Sequence, residues 1–212
     1  MREVAITGIG VVGPHGVGLD GALDGRFVFS AWPEAASPPH AESLIASVGD
    51  YPRTRYFNER ALRLMDKPMM LASFAAGSAL EDAGYSDGEA PEDCATLLGT
   101  ARSEQTSVHK FSLPLLQGRP ERINPAEFPL VARNIACGQM AIRFGLRGPS
   151  SVLASGPLAS LQAVAPSSRA ATTSRRWAST ACRRFLRAGA APVSAIVFAP
   201  RAGARRPYGE SE

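Results

Sequence analysis

A stretch near the middle of the chain, residues 141–164, restricts the possible folds more than any other part of the sequence. Gly148-Pro149 predicts a turn, because glycine tolerates backbone angles that other residues avoid and proline fixes its own. Residues 151–154 are short, apolar and partly β-branched, which favours a buried strand. Residues 155–157, Ser-Gly-Pro, then predict a bend into a helix. Many enzymes hold a nucleophile at such a strand–elbow–helix junction, yet this elbow has no cysteine.

The same stretch resembles the active-site segment of β-ketoacyl synthases, the condensing enzymes of fatty acid and polyketide assembly. Their pattern is Gly-Pro-Ser, a short strand, a small-small-Cys elbow and a helix. Laid over this chain without gaps, Gly148, Pro149 and Ser150 match, and Pro157 occupies the position of the nucleophilic cysteine. The resemblance covers roughly three quarters of the chain, from the N-terminus onward. It implies an α/β fold, the N-terminal half of a thiolase-like ketoacyl synthase fold with a mixed sheet between helices. The alternation of predicted strands and helices independently favours α/β.

Upstream segments resemble the family in the same order. VAITGIGVVGPHG resembles its opening strand and turn, LMDK at 64–67 its Arg-Met-Asp-Arg segment, and NIACGQMAIRFG the helix before Gly-Pro-Ser. The run from Gly8 to Gly13 also fits the GxGxxG pattern of dinucleotide sites, but Pro14 follows where a helix should open. We therefore expect structural glycines that pack under the first helix, and no cofactor. His15 is expected at the surface of this turn.

The pattern predicts further elements along the chain. We expect a buried strand at 3–10, an irregular excursion at 27–56, helical structure from 59 to 83 interrupted at Pro68, a buried strand at 95–99, and a helix within 100–123 that breaks near Pro114. Asn58 is a candidate helix cap and Gly84 a helix stop. Cys137 is predicted to be a packed, unreactive thiol.

Composition limits the class of protein. With 212 residues, 45% of them apolar and 20% charged, the chain is long enough for a globular core. No apolar run reaches membrane-spanning length, and the N-terminus resembles a strand more than a signal peptide, so a cytoplasmic protein without a membrane partner is expected. Three scattered cysteines predict neither a disulfide framework nor a metal site.

The net charge of +4 raises the question of an acidic partner. Many arginines lie beyond Ser168 with little aromatic interleaving, which argues against nucleic acid. An acyl carrier protein is a possible partner for such a surface, and solvated charge on a loosely ordered segment is the alternative.

The C-terminal fifth of the chain departs from the family. We divide the chain into a ketosynthase-like half-domain at 1–165, an irregular Arg/Ala/Ser-rich segment at 166–191, and a possible closing strand and tail at 192–212. A shifted reading frame in high-GC DNA would produce such a segment, and resequencing the gene would test that hypothesis. Cys182 follows Ser-Thr-Ala there and reproduces the small-small-Cys string, which we interpret as coincidence because no Gly-Pro-Ser and strand precede it.

In the family that the chain resembles, carbon–carbon condensation requires a cysteine thiolate that holds the acyl chain and two histidines. Those histidines come from the second half of the family's chain. The sequence has only His15, His40 and His109. The first hypothesis is therefore a catalytically silent subunit that pairs with an active ketoacyl synthase and helps to shape the acyl tunnel. In the family, the region that corresponds to 100–123 lies at the dimer interface and helps to wall that tunnel, so Phe111, Leu115 and Leu116 are candidates for the tunnel wall or interface, with ordinary core or interface packing as the alternative. The strand at Val152 and the helix before it are expected to build the interface with the partner.

Two alternatives stay open. The chain could be a truncated or regulatory remnant of a ketoacyl synthase. It could also be a small hydrolase or transferase that uses Ser155 or Ser160 at the elbow, although no histidine lies near either serine in sequence.

Overall fold

The computed structural model describes residues 4–25, 30–31, 44–86, 94–100, 105–164, 177–182 and 193–200. The strands are β1 (Val4–Gly13), β2 (Gly16–Val17), β3 (Ser30–Ala31), β4 (Leu44–Ile45), β5 (Ala95–Thr100), β6 (Ser150–Leu153), β7 (Trp177–Cys182) and β8 (Val193–Pro200). The helices are α1 (Leu19–Leu23), α2 (Glu59–Leu62), α3 (Lys67–Asp82), α4 (Gln105–Leu116) and α5 (Ile135–Phe144). The 3₁₀ segments within the described residues are Arg53–Arg55, Pro120–Arg122, Pro125–Val131 and Gly156–Leu158.

Six strands form one mixed sheet in the order β2-β1-β8-β7-β5-β6. β5 runs parallel to both β6 and β7, whereas β8 is antiparallel to β1 and β7. The predicted mixed sheet is confirmed. The separate pair β3–β4 falls in the predicted irregular excursion, most of which lies outside the described residues.

The glycines of β1 allow α3 to approach the sheet closely. A Cβ atom at Gly8 would lie 2.2 Å from the carbonyl oxygen of Ala79, and one at Gly10 would lie 2.2 Å from that of Ala75. The structural role predicted for these glycines is confirmed, but the helix concerned is α3 and not the first helix, α1. The GxGxxG run lies inside β1 and does not form the strand-to-helix turn of a dinucleotide site.

β5 is buried on both faces, as predicted for the ATLLG segment. Leu98 joins the main core with α3 and α5 on one face. On the opposite face, Gly99 contacts the helical segment at 159–164, since a Cβ there would lie 2.4 Å from the carbonyl oxygen of Ala159. The sheet therefore lies between helices, as the resemblance implied.

The main core joins α3 and α5 through aromatic rings. Tyr56 lies with its ring centroid 5.3 Å from that of Phe74 on α3 and 6.1 Å from that of Phe144 on α5. The hydroxyl of Tyr56 donates to Glu81 at 2.8 Å, and its pKa is raised, mainly by burial. These contacts fix the segment before α2 against both helices.

Most predicted helix boundaries are confirmed. The side chain of Asn58 accepts from the amide of Ala61 at 2.9 Å and caps α2. The helical run is interrupted, with Asp66 capping α3 and Pro68 in its first turn. Gly84 has a φ of +81° just past the end of α3, and Gly145 has a φ of +65° just past α5.

Four predictions about local structure are wrong. α4 continues through Pro114 to Leu116, because the proline lies in the last turn and the amide of Gln117 still bonds to Leu113 at 3.1 Å. β6 is an edge strand whose first two residues are exposed, so it is not a buried strand. The segment at 166–191 contains β7, which pairs with β5 and β8. His15, expected at the surface, is half-buried, and burial lowers the pKa of its imidazole.

Candidate functional site

The elbow lies at the carboxyl edge of the three parallel strands. β6 ends at Leu153, and the chain turns at Gly156, whose φ of +69° is in the region that favours glycine. The 3₁₀ turn Gly156–Leu158 follows and leads into the helical segment at 159–164. The strand–elbow–helix arrangement predicted from the sequence is confirmed, with Pro157 in the turn itself.

Close packing fixes the helical segment beneath the elbow. Ala159 and Ala163 are buried, and the backbone at Ala159 contacts Gly99 of β5. A larger residue at position 99 would displace this backbone, so the elbow is held rigidly against the central part of the sheet.

The two elbow serines lack the partners that a nucleophile needs. Ser155 is exposed, and its hydroxyl donates to the side-chain oxygen of Gln162. An amide is not a general base, so this contact does not activate the hydroxyl. The hydroxyl of Ser160 is buried and has no hydrogen-bond partner among the described residues.

The thiols described in the structure are packed within the fold. Cys137 on α5 is fully buried, its Sγ lies 3.7 Å from the carbonyl oxygen of Ser151, and burial raises its pKa to about 11. The prediction of an unreactive thiol agrees with this environment. The backbone of Cys182 ends β7 and pairs with Thr100 of β5, two strands from β6.

The four tunnel or interface candidates do not all lie on one element. Phe111, Leu115 and Leu116 lie on α4, and the ring of Phe111 lies 5.9 Å from that of Phe128. Leu116 is 82% exposed. Val152, in contrast, lies on β6, half-buried and packed against the main core.

Sequence reasoning missed several exposed apolar side chains beside these candidates. We use the name "arm" for residues 105–147, which include α4, α5 and the two 3₁₀ segments between them. Phe128 is 64% exposed and Ile142 is 80% exposed. Ile142 was predictable, since it lies on the polar side of an amphipathic helix; Phe128 lies in a proline-rich turn without periodicity.

Other site types find no support among the residues that the structure describes. Within those ranges, no group of three or more His, Cys, Asp and Glu side chains is placed to hold a metal ion. None of the helices described there is long and apolar enough to cross a membrane.

Comparison with known proteins identifies a family. Residues 1–170 match the family model described as "Beta-ketoacyl synthase, N-terminal domain". The chain is 29% identical over 156 residues to the actinorhodin polyketide putative beta-ketoacyl synthase 2 of Streptomyces coelicolor, covering 71% of this chain and 38% of that protein. It is 26% identical over 155 residues to 3-oxoacyl-[acyl-carrier-protein] synthase 2 of Synechocystis sp., covering 71% and 37%. The chain thus spans less than two fifths of these relatives.

Solved structures show the same fold. The ishigamide ketosynthase/chain length factor superposes with a TM-score of 0.78 at 21% identity, over 96% of this chain and 64% of that one. A beta-ketoacyl synthase from Burkholderia phymatum superposes with a TM-score of 0.80 at 16% identity, over 97% and 62%. By its family match and its thiolase-like ketosynthase fold, the chain belongs to the β-ketoacyl synthase family.

Proposed function

We propose that this chain is a catalytically silent ketosynthase-like subunit that pairs with an active β-ketoacyl synthase in polyketide or fatty acid assembly. The proposal depends on the elbow: Pro157 lies in its turn, and in the gapless match to the family pattern it takes the position of the cysteine. Proline has no group that can form a thioester, and neither neighbouring serine contacts a base among the described residues.

The surface of the chain supports a pairing role. Among the described strands β6 ends the sheet, and such an edge offers unpaired N–H and C=O groups to another chain. The arm adds exposed apolar side chains such as Leu116 and Ile142. A strand edge together with exposed apolar side chains is suited to a large subunit interface.

A role in shaping the acyl tunnel extends this proposal. Phe111 and Leu115 lie one helical turn apart on α4 and so share one side of that helix. In a complex, side chains of the arm that reach the active subunit would limit the space available to the growing chain. The ishigamide ketosynthase/chain length factor shares this fold.

Co-expression with an active ketosynthase encoded in the same genome neighbourhood tests the pairing. We expect a stable one-to-one complex in size-exclusion chromatography with mass detection, and a change in product length when the chain is present. A chain that stays alone or aggregates in this experiment contradicts the proposal and favours the truncated remnant.

A matched pair of variants locates the interface. Leu116→Asp places a charge on the arm, whereas Leu23→Asp places one on α1 at a comparable exposure of 74%. We expect the first variant to weaken the complex at least about tenfold and the second to change it less than about twofold. Equal effects of the two variants would place the interface away from the arm.

A further inference from the structure

The charge of the chain is distributed unevenly. Residues 105–147, the arm, contain six Lys and Arg against two Glu, a net charge of +4. Residues 1–104 contain eight basic and fifteen acidic side chains, a net charge of −7. The arm therefore has the opposite sign to the part of the chain that precedes it.

The same segment holds much of the exposed apolar surface. Six of the twelve exposed large apolar side chains among the described residues belong to the arm. Its exposed basic side chains are Lys110, Arg119, Arg122, Arg133 and Arg147. A protein–protein interface commonly combines exposed apolar side chains with charged ones, since its rim is polar.

We propose that the positive charge of the arm selects the partner: it disfavours a second copy of this chain and favours an active subunit whose facing surface is acidic. This inference rests on the proposed function, since it concerns the same interface. In a two-fold symmetric dimer each patch meets its own copy, so one arm with a charge of +4 would face another. Like charges brought together in an interface are costly, whereas an acidic surface would be attracted.

Arg119 and Arg122 are the best positions for a test. Both are exposed: Arg119 directly precedes the 3₁₀ turn Pro120–Arg122 and Arg122 ends it, and neither belongs to the Phe111–Phe128 ring contact. The double variant Arg119→Glu/Arg122→Glu changes the formal charge of the arm from +4 to 0. Far-UV circular dichroism and the Tm are expected to match those of the wild type, because neither side chain is part of the core.

The experiment measures two associations at 50 mM and 500 mM salt. Binding to the active ketosynthase is measured by titration, and self-association by sedimentation equilibrium. At 50 mM salt we expect the double variant to bind the ketosynthase at least about tenfold more weakly and to self-associate at least about tenfold more tightly than the wild type. At 500 mM salt both differences shrink, since screening shortens the reach of the charges.

The control variant makes a charge change of the same size outside the arm. Arg53→Glu/Arg60→Glu reverses two exposed arginines on the Arg53–Arg55 turn and α2, and it is expected to change both associations less than about threefold. Equal effects of the two double variants overturn the inference, because the net charge of the chain, and not the charge of the arm, would then determine both affinities.

The outcomes separate this inference from the proposed function. If the wild type forms the ketosynthase complex but the arm variant binds equally well, the inference fails and the proposed function stands. If no complex forms at either salt concentration, the proposed function fails. A wild-type chain that dimerises at 50 mM salt also overturns the inference.

Discussion

Gly77 shows how a single missing side chain fixes the contact between α3 and the segment before α2. A Cβ atom at Gly77 would lie 2.7 Å from the ring of Tyr56. That ring cannot move aside easily, because it packs against Phe74 and Phe144 and its hydroxyl donates to Glu81. Gly77 is therefore required by packing and not by its backbone angles.

Gly77→Ala is expected to lower the free energy of unfolding by about 1–3 kcal/mol, the usual cost of forcing extra volume into a packed core. Gly138→Ala is the matched control, since Gly138 also lies inside a helix but a Cβ there would have nothing within 4 Å. That variant is expected to be neutral or to stabilise by about 0.5–1 kcal/mol. Urea unfolding of both variants measures the difference, and equal stabilities would contradict the close packing at Tyr56.

The candidate site was predictable from the sequence only in part. The elbow at Pro157 and the packed thiol of Cys137 follow from local patterns, namely Gly-Pro turns and small residues on an apolar helix. The contact between Ser155 and Gln162 was not predicted, because it depends on how the helical segment folds back against the elbow. A local sequence pattern does not predict such a contact.

The start of α3 depends on one carboxylate. The Oδ1 atom of Asp66 accepts from the amide of Met69 at 3.0 Å and caps the helix, whereas Oδ2 is buried without a hydrogen-bond partner among the described residues. Burial raises the pKa of Asp66 above its usual 3.8, and the charge of Lys110 on α4 partly offsets this. The cap therefore stabilises the helix while the buried charge opposes it.

Asp66→Asn keeps the capping oxygen and removes the charge. Because the folded-state pKa is raised, the protonated carboxyl is favoured in the folded protein, and its contribution to stability is present below pH 3.8 and lost as the pH rises through the folded-state value. We expect Asp66→Asn to be neutral or slightly stabilising at pH 7 and to flatten this acid dependence. Asp66→Ala, which loses the cap, is expected to cost about 0.5–2 kcal/mol.

Urea unfolding across pH 4–7 measures these effects. Asn58→Ala is the control, since it removes a cap of similar geometry, 2.9 Å, without removing a charge, and its effect should not vary with pH. If Asp66→Asn proves as destabilising as Asp66→Ala, the capping role assigned to Oδ1 is wrong.

Helices were predicted better than the sheet. α5 was predicted from its resemblance to the family's helix before Gly-Pro-Ser. The end of α3 was predicted from Gly84, which adopts the positive φ that favours glycine. The predicted break at Pro114 was wrong because a proline in the last turn removes only one hydrogen bond. Strand pairing was harder to predict from the sequence. β7 pairs with β5, which lies more than 80 residues earlier in the chain, and no local sequence pattern specifies such a partner.

The two edges of the sheet differ in what they offer to a partner. β2 ends one edge with only two residues, Gly16–Val17. β6 ends the other with four, two of them exposed, and α5 packs beside it. A longer and more exposed strand is the better template for pairing with another chain, so subunit assembly is expected at β6.

Hydrogen exchange of the chain with and without the active ketosynthase tests this assignment. We expect the amides of β6 to exchange at least about tenfold more slowly in the complex, because a partner strand or side chains would cover the open edge. The amides of β2 serve as the internal control and are expected to keep their rates. A complex that forms while β6 exchanges as fast as in the free chain would move the interface to another surface, and slower exchange at β2 alone would place it at the opposite edge of the sheet.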